Sequence, residues 1–107
     1  MRLFDLTGKV AIITGSSRGI GRAIAEHMAA CGAKVVISSR KAEPCEQVAA
    51  GIRAAGRQAI AIAASISDKG QLGNLVAQTR AQLGPIDILV CNAASNPYYG
   101  PSTGMGD

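Results

Sequence analysis

Aromatic side chains are nearly absent from this sequence: one Phe, two Tyr and no Trp make up 3% of its residues. A core must therefore be assembled from Ala, Ile, Val and Leu, a palette that suits parallel strands buried on both faces. Histidine is limited to His27, which falls in a helix-forming stretch away from any paired Cys or carboxylate. A metal site and a Ser-His-Asp triad thus lack their parts. The cysteines Cys31, Cys45 and Cys91 are odd in number and have no metal spacing. Cys31 and Cys91 read as small core residues, and free thiols point to a reducing compartment. No apolar run is long enough for a secretory signal or a membrane span, so the expected setting is cytoplasmic, with no membrane partner. The net charge of +4 is modest, and Arg18, Arg22, Lys34, Arg40, Lys41, Arg53 and Arg57 form no single run. With no Trp or Phe interleaved among them, they read as solvated side chains and not as a nucleic-acid surface.

What is present begins with length and apolar content: 107 residues at 48% hydrophobic suffice for one domain with a core. The most informative stretch is Thr14-Gly15-Ser16-Ser17-Arg18-Gly19-Ile20-Gly21. In front of it Val10-Ala11-Ile12-Ile13 reads as a buried strand, and behind it Ile20, Ile24, Met28 and Cys31 recur at helical spacing. A helix starting near Gly19 places Gly15, Gly19 and Gly21 in a strand-to-helix turn. Backbone without Cβ atoms lets an anion approach, unpaired amides at the helix start point outward, and the helix dipole adds its positive field. The spacing is neither Gly-x-x-x-x-Gly-Lys-Ser/Thr nor the usual Gly-x-Gly-x-x-Gly, which disfavours a P-loop NTPase.

Further along, Gly32 stops the first helix and Lys34-Val35-Val36-Ile37-Ser38 reads as a second strand. Cys45, Val48, Ala49 and Ile52 mark a second helix closed by Gly56, and Gln58 to Ala63 is the expected third strand. Asp68 is placed to cap a third helix with Leu72, Leu75, Val76, Thr79 and Leu83 inward. Gly84-Pro85 ends that helix, and Ile86 to Cys91 is the fourth strand. The alternation β-α-β-α-β-α-β predicts an α/β fold with a parallel sheet and helices on both faces. A doubly wound dinucleotide fold has about six strands, so residues 1–107 read as a single, partial domain, its first half. Residues 101–107 read as an irregular tail where such a fold would continue.

Thr-Gly-x-x-x-Gly-x-Gly resembles the pattern of the short-chain dehydrogenase/reductase family, and the likeness runs from Leu6 to Gly100. A second motif supports it: Asp87-Ile88-Leu89-Val90-Cys91-Asn92-Ala93-Ala94 is similar to the family's fourth strand and its Asn-Asn-Ala-Gly turn. Cys91 and Ala94 depart from that turn. The resemblance implies a Rossmann-type fold in which Gly15, Ser16, Ser17, Arg18, Gly19, Ile20 and Gly21 cradle a dinucleotide. It also implies that Ala64, Ser65 and Ile66 line the adenine, and that Asn92, Ala93 and Ala94 lie beside the cofactor. The flank Asn96-Pro97-Tyr98-Tyr99-Gly100 is most similar to members that reduce carbonyl compounds with NADPH.

In this fold an acidic residue about 20 positions past the glycine turn holds the ribose hydroxyls of NAD. Here the second strand ends Ser38-Ser39-Arg40-Lys41, with no carboxylate. A 2′-phosphate meets the Ser39 hydroxyl, the Arg40 guanidinium and the Lys41 ammonium, with Arg18 approaching from the turn. NADP is therefore expected over NAD.

The family's proton donor is a Tyr in Tyr-x-x-x-Lys, helped by an upstream Ser. Four residues beyond Tyr98 and Tyr99 stand Ser102 and Thr103, and no lysine follows Lys69, so no catalytic residue is assigned here. Two functions from different classes follow. In one, the sequence is the cofactor-binding half of an NADP-dependent oxidoreductase acting on a small carbonyl or alcohol substrate, homo-oligomeric in full-length form. The alternative is a truncated, non-catalytic nucleotide-binding or interaction module. An apolar fourth strand (Ile86, Ile88, Leu89, Val90) left on an open edge favours the former.

Overall fold

The computed structural model describes residues 5–65 and 67–91. Its elements are β1 (Val10–Thr14), α1 (Gly19–Ala30), β2 (Lys34–Ser38), α2 (Ala42–Ala54), β3 (Ala59–Ala61), α3 (Lys69–Leu83) and β4 (Ile88–Val90). The sheet runs β3-β2-β1-β4 and every pairing is parallel. Expectations that fall on Ile66, Asn92, Ala93, Ala94, Tyr98, Tyr99 and 101–107 lie outside the described residues.

β1 is buried along its whole length because it has a neighbour on each side and helices on each face. Its side chains alternate between two cores. Ala11 and Ile13 join Val35, Ile37, and the α1 and α2 residues Ala25, Ala29, Cys45, Val48, Ala49 and Ile52. Ile12 faces the other way, with Val36, Ile62, Ala64 and the α3 residue Leu75. Two-sided burial explains why these strands read as continuous apolar runs and not as alternating ones. Among the described residues, no helix is long and apolar enough to cross a membrane.

α2 buries the four residues its periodicity singles out, Cys45, Val48, Ala49 and Ile52. α1 starts at Gly19 as expected, but the apolar spacing does not mark its buried face. Its buried seam is Gly21, Ala25 and Ala29, while Ile20 is 72% exposed and Ile24 and Met28 only flank the core. Small residues on this face let α1 lie close to β1 and β2, and they carry little hydrophobic signal. The helix ends in a Schellman arrangement: Gly32 N donates to Ala29 O and Ala33 N to Met28 O, with Gly32 at φ 104°. Asp68 caps α3, its Oδ1 accepting from Gly70 N at 2.9 Å and Gln71 N at 3.1 Å. Leu75 and Thr79 form the fully buried part of the α3 face, with Leu72 and Leu83 packed partly against the same core.

The outer strands are shorter than their apolar runs. β3 covers Ala59–Ala61 in place of Gln58 to Ala63, although Ile62 N still donates to Ile37 O and Ala64 N to Ser39 O. β4 covers Ile88–Val90 in place of Ile86 to Cys91. At its start Asp87 replaces a rung of the ladder: its N–H donates to Val10 O and its Oδ2 accepts from Val10 N, both at 2.9 Å. Cys91, expected in the core, is exposed, because it lies beyond the last paired residue of an outer strand. Cys31 is buried as expected.

Candidate functional site

Strand order fixes where a ligand crevice forms. From β1 the chain winds outward through β2 and β3, then returns by α3 to place β4 on the opposite side of β1. The carboxyl ends of β1 and β4 therefore flank a topological switch point, the place where open α/β sheets bind ligands. Thr14 Oγ1 spans that point and donates to Val90 O at 3.3 Å.

The turn after β1 opens there. Gly15 and Gly19 have φ of 64° and 63°, values that side chains strongly disfavour. Arg18, the N-cap residue of α1, is extended at φ −164° and makes no side-chain cap. No acidic residue occupies the first turn of α1, so its own helix leaves the positive end uncompensated. Ser17 is half-buried, Arg18, Gly19 and Ile20 are exposed, and Gly21 is buried against the sheet. A Cβ added at Gly19 would meet nothing within 4 Å, so its surroundings are open to a ligand.

Ser16 has a different part. It is fully buried, its Oγ donates to Ile13 O at 2.6 Å and accepts from Ser38 N at 2.9 Å, and its own N–H donates to Ser38 O at 3.1 Å. The residue is a brace that docks the turn onto the end of β2. One strand further out, Ser39 O accepts from Ala64 N at 2.8 Å, which ties the stretch after β3 to the same end. The turn 15–21, residues 39–41 and residues 64–65 are thus brought to one rim of the sheet.

On that rim Ser39 is half-buried while Arg40 and Lys41 are exposed. The Ser39 hydroxyl lies 3.2 Å from Lys41 O and 3.0 Å from Cys45 Sγ. Burial pushes the Cys45 thiol up from its ordinary value, more than the hydrogen bonds from Ser39 lower it, so sulfur keeps its proton at neutral pH. Ala64 is buried; Ser65 is half-buried, with its N–H on Gln71 Oε1 at 2.8 Å and its Oγ 2.9 Å from Ser67 Oγ. Ser38 Oγ is buried without a hydrogen-bond partner among the described residues. Cys45 and Ser38 carry no signal of a role in the sequence, where they read as a helix-face residue and a strand end. Their placement beside Ser39 and Ser16 depends on the packing of α2 and on the β1–β2 register.

The donor set suits an extended dianion. Amides at the start of α1 and the cations Arg18, Arg40 and Lys41 all lie on the rim, and no carboxylate stands within the glycine turn or in residues 38–41.

Comparison with known proteins agrees with this geometry. The sequence model of the family described as "short chain dehydrogenase" matches residues 9–103. The chain is 44% identical over 96 residues to short-chain dehydrogenase/reductase SDRA of Arabidopsis thaliana, covering 90% of this chain and 38% of that protein. It is 42% identical over 90 residues to tropinone reductase-like 3 of Erythroxylum coca, covering 84% of this chain and 35% of the relative. Among solved structures, a hydroxysteroid dehydrogenase from Escherichia coli superposes with a TM-score of 0.82 at 41% identity, over 84% of this chain and 38% of that one. A short-chain type dehydrogenase/reductase from Mycobacterium marinum gives a TM-score of 0.81, also at 41% identity, over 85% of this chain and 37% of the other. The chain thus spans about a third of the length of the relatives it matches. A glycine turn opening at the switch point of a parallel sheet, and a match running through nearly every element, lead to one assignment: the chain belongs to the short-chain dehydrogenase family.

Proposed function

We propose that this chain is the cofactor-binding half of an NADP-dependent oxidoreductase that moves hydride between a nicotinamide and a small carbonyl or alcohol substrate. The observation that carries the reading is the carboxylate-free rim on which the glycine turn and Ser39-Arg40-Lys41 stand together. The amides of Gly19, Ile20 and Gly21, with Arg18 alongside, would hold the diphosphate. Ser39, Arg40 and Lys41 would hold the 2′-phosphate, and Ala64 and Ser65 would line the adenine. When bound, the nicotinamide supplies the hydride or accepts it. These residues bind and orient; the family's proton-transfer Ser and Tyr-x-x-x-Lys are assigned to none of the 107 residues. Leu89, 52% exposed on β4, offers apolar surface that a further element of the family fold could cover. Free, buried Cys31 and Cys45 support a reducing, cytoplasmic setting. The full-length protein is read as a homo-oligomer with no nucleic-acid partner.

Charge decides the cofactor. Two unit charges 4 Å apart interact by about 4 kcal/mol at an effective dielectric near 20, and even ~1.4 kcal/mol is a tenfold bias. In the full-length protein, Ser39→Asp combined with Arg40→Ala should turn an NADPH preference into an NADH preference, read by titrating both reduced nucleotides. An unchanged preference would sink the NADP assignment.

A further inference from the structure

Cys45 stands early in α2 and is fully buried, yet its thiol is not surrounded by hydrocarbon alone. Its Sγ lies 3.0 Å from Ser39 Oγ, and that same oxygen lies 3.2 Å from Lys41 O. A carbonyl only accepts, so the Ser39 proton goes to Lys41 O. With the Ser39 proton on Lys41 O, the thiol is the donor in the Sγ···Oγ contact. Burial keeps the proton on sulfur at neutral pH, so this donor persists.

The chain of donors S–H, O–H, O=C has a directional consequence. With one lone pair of Ser39 taken by the thiol, its hydroxyl proton cannot turn inward. It is directed at Lys41 O, in the β2–α2 connection where the exposed Arg40 and Lys41 stand. A phosphoryl oxygen arriving there accepts the proton by a small rotation about the Ser39 Cβ–Oγ bond, while the thiol goes on donating from behind. We propose that Cys45 is a positioning residue for cofactor selection, its thiol holding Ser39 so that the hydroxyl proton faces a 2′-phosphate on the adenosine ribose. The inference rests on the NADP reading above.

The test uses the full-length protein and two probes, 2′,5′-ADP, which carries the 2′-phosphate, and 5′-ADP, which does not. Cys45→Val keeps apolar bulk and removes the donor, whereas Cys45→Ser keeps a donor. Calorimetry should show Cys45→Val binding 2′,5′-ADP about three- to tenfold more weakly, with 5′-ADP unchanged and Cys45→Ser restored to within about twofold of wild type. In wild type the infrared S–H stretching band assigned to Cys45, absent from Cys45→Val, should shift when 2′,5′-ADP is added and stay in place with 5′-ADP.

Equal weakening of both probes in Cys45→Val would mean a structural role only and would overturn the inference. Unchanged selectivity in a folded Cys45→Val would do the same. Should Cys45→Val fail to fold, the wild-type infrared band decides: no shift with 2′,5′-ADP overturns the inference. A wild type that binds 2′,5′-ADP no better than 5′-ADP overturns the NADP reading and this inference together. Wild-type selectivity that survives the loss of the thiol removes only the inference.

Discussion

Replacing Ser16 with alanine removes one oxygen and should disturb both the stability of the sheet end and the grip on a diphosphate. The hydroxyl donates to Ile13 O at 2.6 Å and accepts from Ser38 N at 2.9 Å, and the residue has no solvent exposure. In Ser16→Ala the Ser38 N–H is left buried without its acceptor, at a cost of about 1–3 kcal/mol, and the bond to Ile13 adds about 1 kcal/mol. The Ser16 N–H still holds Ser38 O at 3.1 Å, so the turn keeps one tether and does not come away altogether. The expected loss is therefore about 2–4 kcal/mol, read as a lower urea midpoint at unchanged slope in the full-length protein. The second readout is the dissociation constant for ADP, a probe of the diphosphate subsite. The amides at the start of α1 converge only while the turn is docked on β2, so affinity should fall about tenfold as pre-organisation is lost. A stability loss below about 0.5 kcal/mol together with unchanged ADP affinity would refute the brace.

Three further outcomes follow from the same geometry. Gly19→Ala places a Cβ in space open on the protein side, so its stability cost should stay at about 1–2 kcal/mol for the left-handed backbone while NADPH affinity falls more than about tenfold. Equal affinity in Gly19→Ala and wild type would place the diphosphate elsewhere. Asp68→Ala should lower stability by about 1 kcal/mol in urea denaturation, because Gly70 N and Gln71 N lose their shared acceptor. The Cys45 thiol gives a pH signature: its folded pKa is raised above the ordinary 9.0, so the unfolded chain releases that proton first as pH rises. Stability from this group is complete below the ordinary value and declines as pH climbs toward the folded one. Urea midpoints measured across that range should show a decline in wild type that is shallower in Cys45→Val.

Much of the architecture was legible because the residues that pack are also the ones that look apolar. Val10 to Ile13 and Val35 to Ile37 are buried on both faces, and α2 carries its core contacts on residues that stand out by type. The start of α1 at Gly19 was legible, but its contact face was not, for the opposite reason. Gly21, Ala25 and Ala29 make its contact by being small, and a pattern search weighted by hydrophobicity settles on Ile20, which faces solvent. Cys91 failed because strand ends are set by pairing partners, which a local sequence does not contain. Within the candidate site the glycine turn could be placed from backbone requirements alone. The Ser16 brace could not, since it joins positions 22 residues apart through one side-chain oxygen. The contact between Ser39 and Cys45 likewise depends on how α2 leaves its connection with β2.

Asp87 has a consequence for how the sheet chooses its alignment. Sliding β4 along β1 by two positions would return every apolar side chain to the face it came from, so greasy contacts alone tolerate that error. A carboxylate that receives the Val10 amide, while its own amide engages the Val10 carbonyl, has no substitute two places along: Leu89 offers no acceptor. One polar residue at the foot of the strand thus works as an indexing pin, making the misaligned sheet leave an amide stranded where the correct one leaves none.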